Sequence, residues 1–323
     1  MRATHHGVWV VLLGLAGAQT GAAEAPSPAT FSIVAADPEA GEVGVAVASR
    51  FFAVGAVVPT CRAGVGAVAT QAYANTTFGP RGLELLERGL TPEETLQVLL
   101  RSDAQSARRQ VGLVSAKGAS ATHSGAACNA WAGGRHGADY AVQGNILAGD
   151  QVVAALEQAF LSEPTQSLAE RLYAALRAGD DAGGDSRGKQ SAAILVCRDG
   201  AGYGGYTDQA VDIRVDDHAE PMVEIGRLLA LALVNDDWNR GWTAFTQERH
   251  DEALRWQERA AERAAAQPAI LPEVLYDLAV IRLANQDPEG ALASLRRAIE
   301  LNPKLREQAR GDQDLEELRD QIP

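Results

Sequence analysis

Near residue 235 this 323-residue chain changes character. From Thr30 to about Asp217 it is rich in Gly, Ala and Val, with short apolar segments broken by Gly and Asp. Beyond Asn235 it turns to Ala, Glu, Arg, Leu and Gln, which favour helices. One regular alternation of strand and helix does not produce such a switch, so two differently built parts are expected, over residues 30–234 and 236–310.

In the first part the periods of the apolar residues set the elements. Residues 31–36 and 42–49 form a hairpin across Asp37-Pro38-Glu39-Ala40-Gly41, a turn by composition. Residues 64–74 read as a third strand, with Val65, Ala67, Ala69, Gln71, Tyr73 and Asn75 on one face. Residues 79–101 have helical spacing, interrupted where Thr91-Pro92-Glu93-Glu94 makes a capping box for a new helix. A second hairpin spans 110–115 and 120–123, a strand covers 140–147, and helices cover 151–161 and 168–178. Strands return at 191–198 and 211–215, before a helix over 221–234. Strand pairs alternating with helix pairs suit antiparallel sheets with helices on their outer faces, a layered α+β domain. Two of the strands are apolar on both faces, so they are expected between layers.

The tail carries a repeat. Leu275, Leu278, Ala279, Ala291, Leu295, Ala298 and Pro303 have the spacing of tetratricopeptide repeats, and Gly241, Ala253 and Ala260 lie 38 residues ahead of Ala279, Ala291 and Ala298. The usual period is ~34, which puts about four extra residues around Ala266-Gln267-Pro268-Ala269. One good and one degenerate repeat are too few to stand alone. The tail is therefore expected to pack on the first part or on another chain, and to offer a surface to a protein partner.

At the other end, Arg2, His5 and His6 precede an apolar run over 8–16, followed by small residues. This is the pattern of a secretory signal, drawn at residues 1–25, and it implies a periplasmic or secreted protein. The run is far short of the ~20 apolar residues that a membrane span needs, and no later segment supplies them. With 42 Asp and Glu against 29 Lys and Arg, a formal charge of −13 argues against nucleic acid and anionic lipid as partners. Cys61, Cys128 and Cys197 are too few for a disulfide framework. An oxidising compartment could pair two of them, but each reads as a small buried apolar residue.

Several motifs point to nothing further. Gly183-x-x-x-x-Gly188-Lys189 fails as a phosphate loop, because Gln190 replaces the needed Ser or Thr and a strand follows. Asp216-Asp217-His218 reads as a solvated strand end, since adjacent residues rarely converge on one ion. His123 and His136 lack partners at recognisable spacing, so no metal and no cofactor is expected.

Neutral polar residues within apolar strands carry more information. Gln71, Asn75, Gln143, Asn145, Gln190 and Ser191 lie in or beside strands of small apolar residues. An unpartnered buried amide costs ~1–3 kcal/mol, so these residues must bond to one another, to backbone or to a ligand. A shared polar pocket and scattered structural bonds are both compatible with the pattern.

Several stretches resemble domain-of-unknown-function family 1028. They are Thr30-Phe31-Ser32-Ile33-Val34-Ala35-Ala36-Asp37-Pro38, the runs over 45–59 and 63–73, Gln143-Gly144-Asn145, Gly183-Gly184-Asp185 with Gly188-Lys189-Gln190-Ser191-Ala192, Gly202-Tyr203-Gly204-Gly205-Tyr206, and Val215-Asp216-Asp217-His218. The resemblance covers residues 30–232 and implies the N-terminal-nucleophile-hydrolase-like fold, a four-layer αββα sandwich, followed here by an all-α helical-repeat segment.

Such a fold implies a Thr, Ser or Cys at the mature N-terminus whose own α-amine acts as base. Thr30 is the candidate, although a β-branched residue at a strand start is also ordinary. Signal cleavage after Ala22, Ala23 or Ala25 would leave residues ahead of it, whereas cleavage after Ala29 would expose it. Ser32 shares its strand face and is the alternative hydroxyl. Arg62 lies at a separation from Thr30 similar to that of the cation in proteasome-like relatives, and Asn145 is an amide able to donate to an oxyanion. Gln71, Asn75, Gln143, Gln190 and Ser191 would line the substrate site. The leading expectation is a hydrolase of an amide bond in a small or peptide-like substrate. The alternative is a non-catalytic binding protein on the same scaffold, docked through its repeats, and a homo-oligomer fits either.

Overall fold

The computed structural model describes residues 30–322. The expected signal at residues 1–25, with its cleavage options, lies outside them. Two antiparallel sheets form the first part. The larger is built from β1 (Thr30–Asp37), β2 (Glu42–Ser49), β7 (Gly133–Gly137), β8 (Tyr140–Asn145), β9 (Ser191–Ala201) and β10 (Thr207–Val215), in the order β10-β9-β2-β1-β8-β7. The smaller runs β3-β4-β5-β6, from β3 (Pro59–Arg62), β4 (Gly66–Gln71), β5 (Gln110–Ser115) and β6 (Ser120–Ser124).

The two-residue period of β1 explains how the layers stack. Phe31, Ile33 and Ala35 point to helices α3 (Asp150–Ser162), α4 (Leu168–Asp181) and the start of α5 (Pro221–Thr246). Val34 and Ala36 point the other way, onto Ala67, Ala69 and Val114 of the smaller sheet. On that sheet's far face, Val68, Val111 and Leu113 meet Phe78, Leu83, Leu96 and Leu99 of α1 (Phe78–Glu87) and α2 (Pro92–Arg101). β1 and β2 are thus covered on both sides, as their unbroken apolar runs require. The Thr91 capping box opens α2 as the spacing predicts.

Four features differ from the expectations. The strand drawn over 64–74 ends at Gln71, because Ala72 and Tyr73 adopt φ of 55° and 52° and turn the chain out of the sheet. Asn75 therefore sits in a loop and not on the strand face. β3 and β7 were not expected: Pro59 and Arg62 mask one, and Gly133, Gly134 and Gly137 weaken the signal of the other. Because β3 exists, Cys61 comes within 6.0 Å (Cα–Cα) of Cys197 on β9, and a disulfide joins the two sheets. Neither residue is merely a small apolar filler.

The helix expected to stop at 234 runs on to Thr246, so the boundary drawn at 234–236 falls inside α5. Asn235-Asp236-Asp237 looks like a break, yet the two carboxylates are buried against arginines: Arg198 and Arg240 on Asp236, and Arg259 and Arg263 on Asp237. The second half of α5 pairs with α6 (His250–Ala264), and α7 (Leu271–Ala284) pairs with α8 (Pro288–Leu301). Ala253, Ala260, Ala279, Ala291 and Ala298 are all fully buried, as small residues at the close approaches of such helices must be. Among the described residues no helix is long and apolar enough to cross a membrane.

Candidate functional site

At one end of the inter-sheet layer the apolar filling gives way to hydroxyls and amides. Strand register aligns Asn145, Thr30, Ser49 and Ser191 in one row across β8, β1, β2 and β9. All four are buried. Parity puts their side chains on the face that carries Val34 and Val45, toward the smaller sheet. Thr30 Oγ1 lies 3.1 Å from Ser49 Oγ.

One step deeper, amides from both sheets interlock. Ser32 Oγ donates to Gln71 Oε1 at 2.7 Å and accepts from Gln143 Nε2 at 2.6 Å. Gln71 Nε2 donates to the Thr30 carbonyl at 3.1 Å and to Gln110 Oε1 at 2.8 Å. Gln110 Oε1 also accepts from Asn145 Nδ2 at 3.0 Å, and Gln110 Nε2 donates to Ser124 Oγ and to the Gly144 carbonyl. Thr122 Oγ1 donates to Gln143 Oε1. Gly112 leaves the room this requires, since a Cβ there would come within 2.2 Å of Gln143 Oε1. The amides satisfy one another, as buried amides must.

Thr30 opens onto a cavity of about 380 Å³. One wall is the 50–58 loop, with Phe51, Val54, Val57 and Val58; the other is the turn after β4, with Ala72, Tyr73 and Ala74. Gln71, Gln105 and Arg109 supply the remaining polar lining. Both walls are fixed from behind. Ser191 Oγ accepts from the Val54 amide and donates to the Phe51 carbonyl. Asp185 accepts from the Arg50 amide at 2.7 Å, and the Ala53 amide donates to the Asp216 carbonyl at 2.9 Å. On the other side Arg109 donates to the Tyr73 carbonyl and pairs with Asp103 at 2.8 Å. Bonds from Arg109 first, then Asn75, hold the Asp103 carboxyl down at about 2, so the Arg109 charge is matched. Of the seven described non-glycine residues at positive φ, Ala53, Ala72, Tyr73 and Ile146 flank this cleft and its strand ends. Such conformations concentrate where a site is held in one shape.

The residues singled out from the sequence separate accordingly. Thr30 and Gln71 line the cleft, Asn145 stands beside Thr30, and Ser191 and Asn75 brace the two walls. Gln143 lies in the amide layer, away from the cleft. Ser32 is fully buried with its hydroxyl saturated on both sides, so it cannot be reached as a nucleophile. Arg62 is opposite Gly66 at the far end of β4 from Gln71, about 16 Å away by strand rise, and it pairs with Glu87 at 2.9 Å on the surface. It cannot act on Thr30. Gln190 faces Asp217 at an exposed turn. Gln110, Ser124 and Thr122 were missed, although Gln110 opens an apolar strand just as Gln71 closes one.

Among the described residues Thr30 Oγ1 has Ser49 as its hydrogen-bond partner and no ionisable side chain. A proton acceptor for this hydroxyl must come from elsewhere, and the α-amine of Thr30 itself lies within reach of it whenever that residue is first in the chain.

Comparison with known families gives two matches. The model of a family of unknown function, DUF1028, matches residues 30–225, and a tetratricopeptide-repeat model matches residues 272–305. A crystal structure of a protein from Silicibacter pomeroyi, described under the same DUF1028 family, is similar to this chain with a TM-score of 0.60 and 31% identity. The match covers 66% of this chain and 91% of that one. No curated protein matches.

Proposed function

The chain belongs to the DUF1028 family, and on that premise we propose that it is an exported amide hydrolase of the N-terminal-nucleophile type. In this reading the stacked sheets are the N-terminal-nucleophile-hydrolase sandwich, and cleavage after Ala29 frees Thr30. The observation that carries it is the position of the Thr30 hydroxyl: at the end of a central strand, on the wall of a preformed cleft, in register with Asn145. The free α-amine, with a pKa near ~7.7–8.0, takes the hydroxyl proton as Oγ1 attacks the substrate carbonyl. Asn145, opposite Thr30 on the neighbouring strand, is in this reading the donor to the developing oxyanion. The protonated α-amine then gives its proton to the leaving amine, and water hydrolyses the resulting ester. The substrate is a small or peptide-like amide, in keeping with the size of the cleft.

Export to the periplasm or beyond is part of the proposal, supported by the 1–25 pattern and by the Cys61–Cys197 disulfide, which persists in oxidising compartments. A binding protein without catalysis, docked through its repeats, is the second reading. It is favoured by the absence of a described cation on Thr30 and by the self-satisfied amides. The mature N-terminus separates the two. N-terminal sequencing should find Thr30 first, and an electrophilic amide-hydrolase probe should label it. Thr30→Ala should abolish labelling with an unchanged circular dichroism spectrum. An exported protein that retains residues ahead of Thr30 would exclude the N-terminal-nucleophile mechanism.

A further inference from the structure

We infer that the cleft selects an uncharged apolar acyl group, so that the amide cleaved at Thr30 is one formed by a short alkyl or aromatic carboxylic acid; this rests on the hydrolase reading of the same site. Once the reacting carbonyl sits over Thr30 Oγ1, the acyl half must lie between the two walls of the cleft. Val54 and Val58 are fixed on one side, and Ala72 and Ala74 face them from the other. Phe51, 39% exposed, stands at the rim. Among the described residues the one cation in the lining, Arg109, is already matched by Asp103, so a charged acyl group would lose its hydration without gaining a free partner. The volume, about 380 Å³, is at the small end for ligand sites, which suits one compact group and not a polymer. Because Ser191 and Arg109 hold the walls from behind, the space exists before the substrate arrives and apolar contact is not offset by ordering of the loop. Each methylene buried between the walls is worth about fourfold, so two engaged methylenes suffice for more than tenfold selection.

The test uses two β-lactones of equal chain length on the mature exported protein, one ending in methyl and one in carboxylate. In each, the Thr30 oxygen forms an ester with the lactone carbonyl, the ring C–O bond breaks, and the hydroxyl proton passes through the α-amine to the ring oxygen. The methyl-ended probe should label Thr30 at least tenfold faster. In Phe51→Lys, at an exposed rim position, that ratio should fall because the carboxylate gains a partner. Equal rates, or faster labelling by the carboxylate probe, overturn the acyl selection and leave the nucleophile standing. Labelling by neither probe, or labelling that survives Thr30→Ala, overturns the hydrolase reading and this inference with it.

Discussion

At Gln110 a single side chain ties five groups together: it accepts from Gln71 and Asn145 and donates to Ser124, Gly133 and Gly144. Truncation removes those bonds and leaves two buried amides short of a partner, each at a cost of ~1–3 kcal/mol. Gln110→Ala should therefore lower stability by about 2–5 kcal/mol in urea unfolding followed by circular dichroism. Gln190→Ala, at its exposed turn, should stay within about 0.5 kcal/mol. Similar midpoints for the two variants would show that the amide layer contributes nothing. The sequence marks both residues as amides beside apolar strands and cannot rank them, because burial depends on which sheet lies opposite. The same limit applied to Thr30 and Ser32. They share a strand face, but only the opposing Gln71 and Gln143 reveal that Ser32 is sealed while Thr30 reaches the cleft.

At the level of elements, the 50–58 loop shows how a strand residue shapes a site it does not line. Ser191 starts β9, yet its hydroxyl bonds to the loop at Phe51 and Val54. Gly55 lets that loop lie flat on the sheet, since a Cβ there would approach Ala193 Cβ to 2.6 Å. Ser191→Ala removes two bonds worth ~1 kcal/mol net each, so amide hydrogen exchange over 51–58 should quicken by roughly 5–30-fold while β9 keeps its protection. Uniform loss of protection would mean that Ser191 supports the sheet and not the loop. Elements with a clean period were legible from sequence: the first hairpin, the α2 capping box and the alanines of the repeat pairs all read directly. β3 and β7 were not, because Pro59, Arg62 and the glycines of β7 obscure the strand pattern while long-range pairing supplies what local preference lacks.

Across the whole molecule, two devices bind parts that are distant in sequence. The Cys61–Cys197 bond closes a 136-residue separation between the two sheets. The other is a buried ionic cluster that joins the sheets to α5 and α6. Glu42 on β2 meets Arg198 on β9 at 2.8 Å and Arg240 on α5 at 3.1 Å, while Arg198 also reaches Asp236 on α5 at 2.7 Å. Asp37 on β1 and Arg259 on α6 add charge nearby, and Arg263 on α6 pairs with Glu170 on α4 at 3.1 Å. Burial is the largest influence on Glu42 and pushes its carboxyl up to about 7, with Arg198 pulling the other way; Asp237, also raised mainly by burial, reaches about 6. The sign follows from proton binding. The folded protein holds a proton on Glu42 over a range where the unfolded chain, titrating near its ordinary 4.5, has lost it. The stabilisation from this group is therefore complete below that value, and is lost as pH rises through about 7. Unfolding free energies from urea titrations should consequently fall between pH 5.5 and 8, by an amount on the order of 1–3 kcal/mol. Glu42→Gln, which keeps the shape without the titration, should flatten most of that slope, and Asp237→Asn should remove part of the remainder at its lower end. A slope that persists unchanged in Glu42→Gln would place the titrating group elsewhere and leave the ionic cluster as a fixed connection between the sheets and helices α5 and α6.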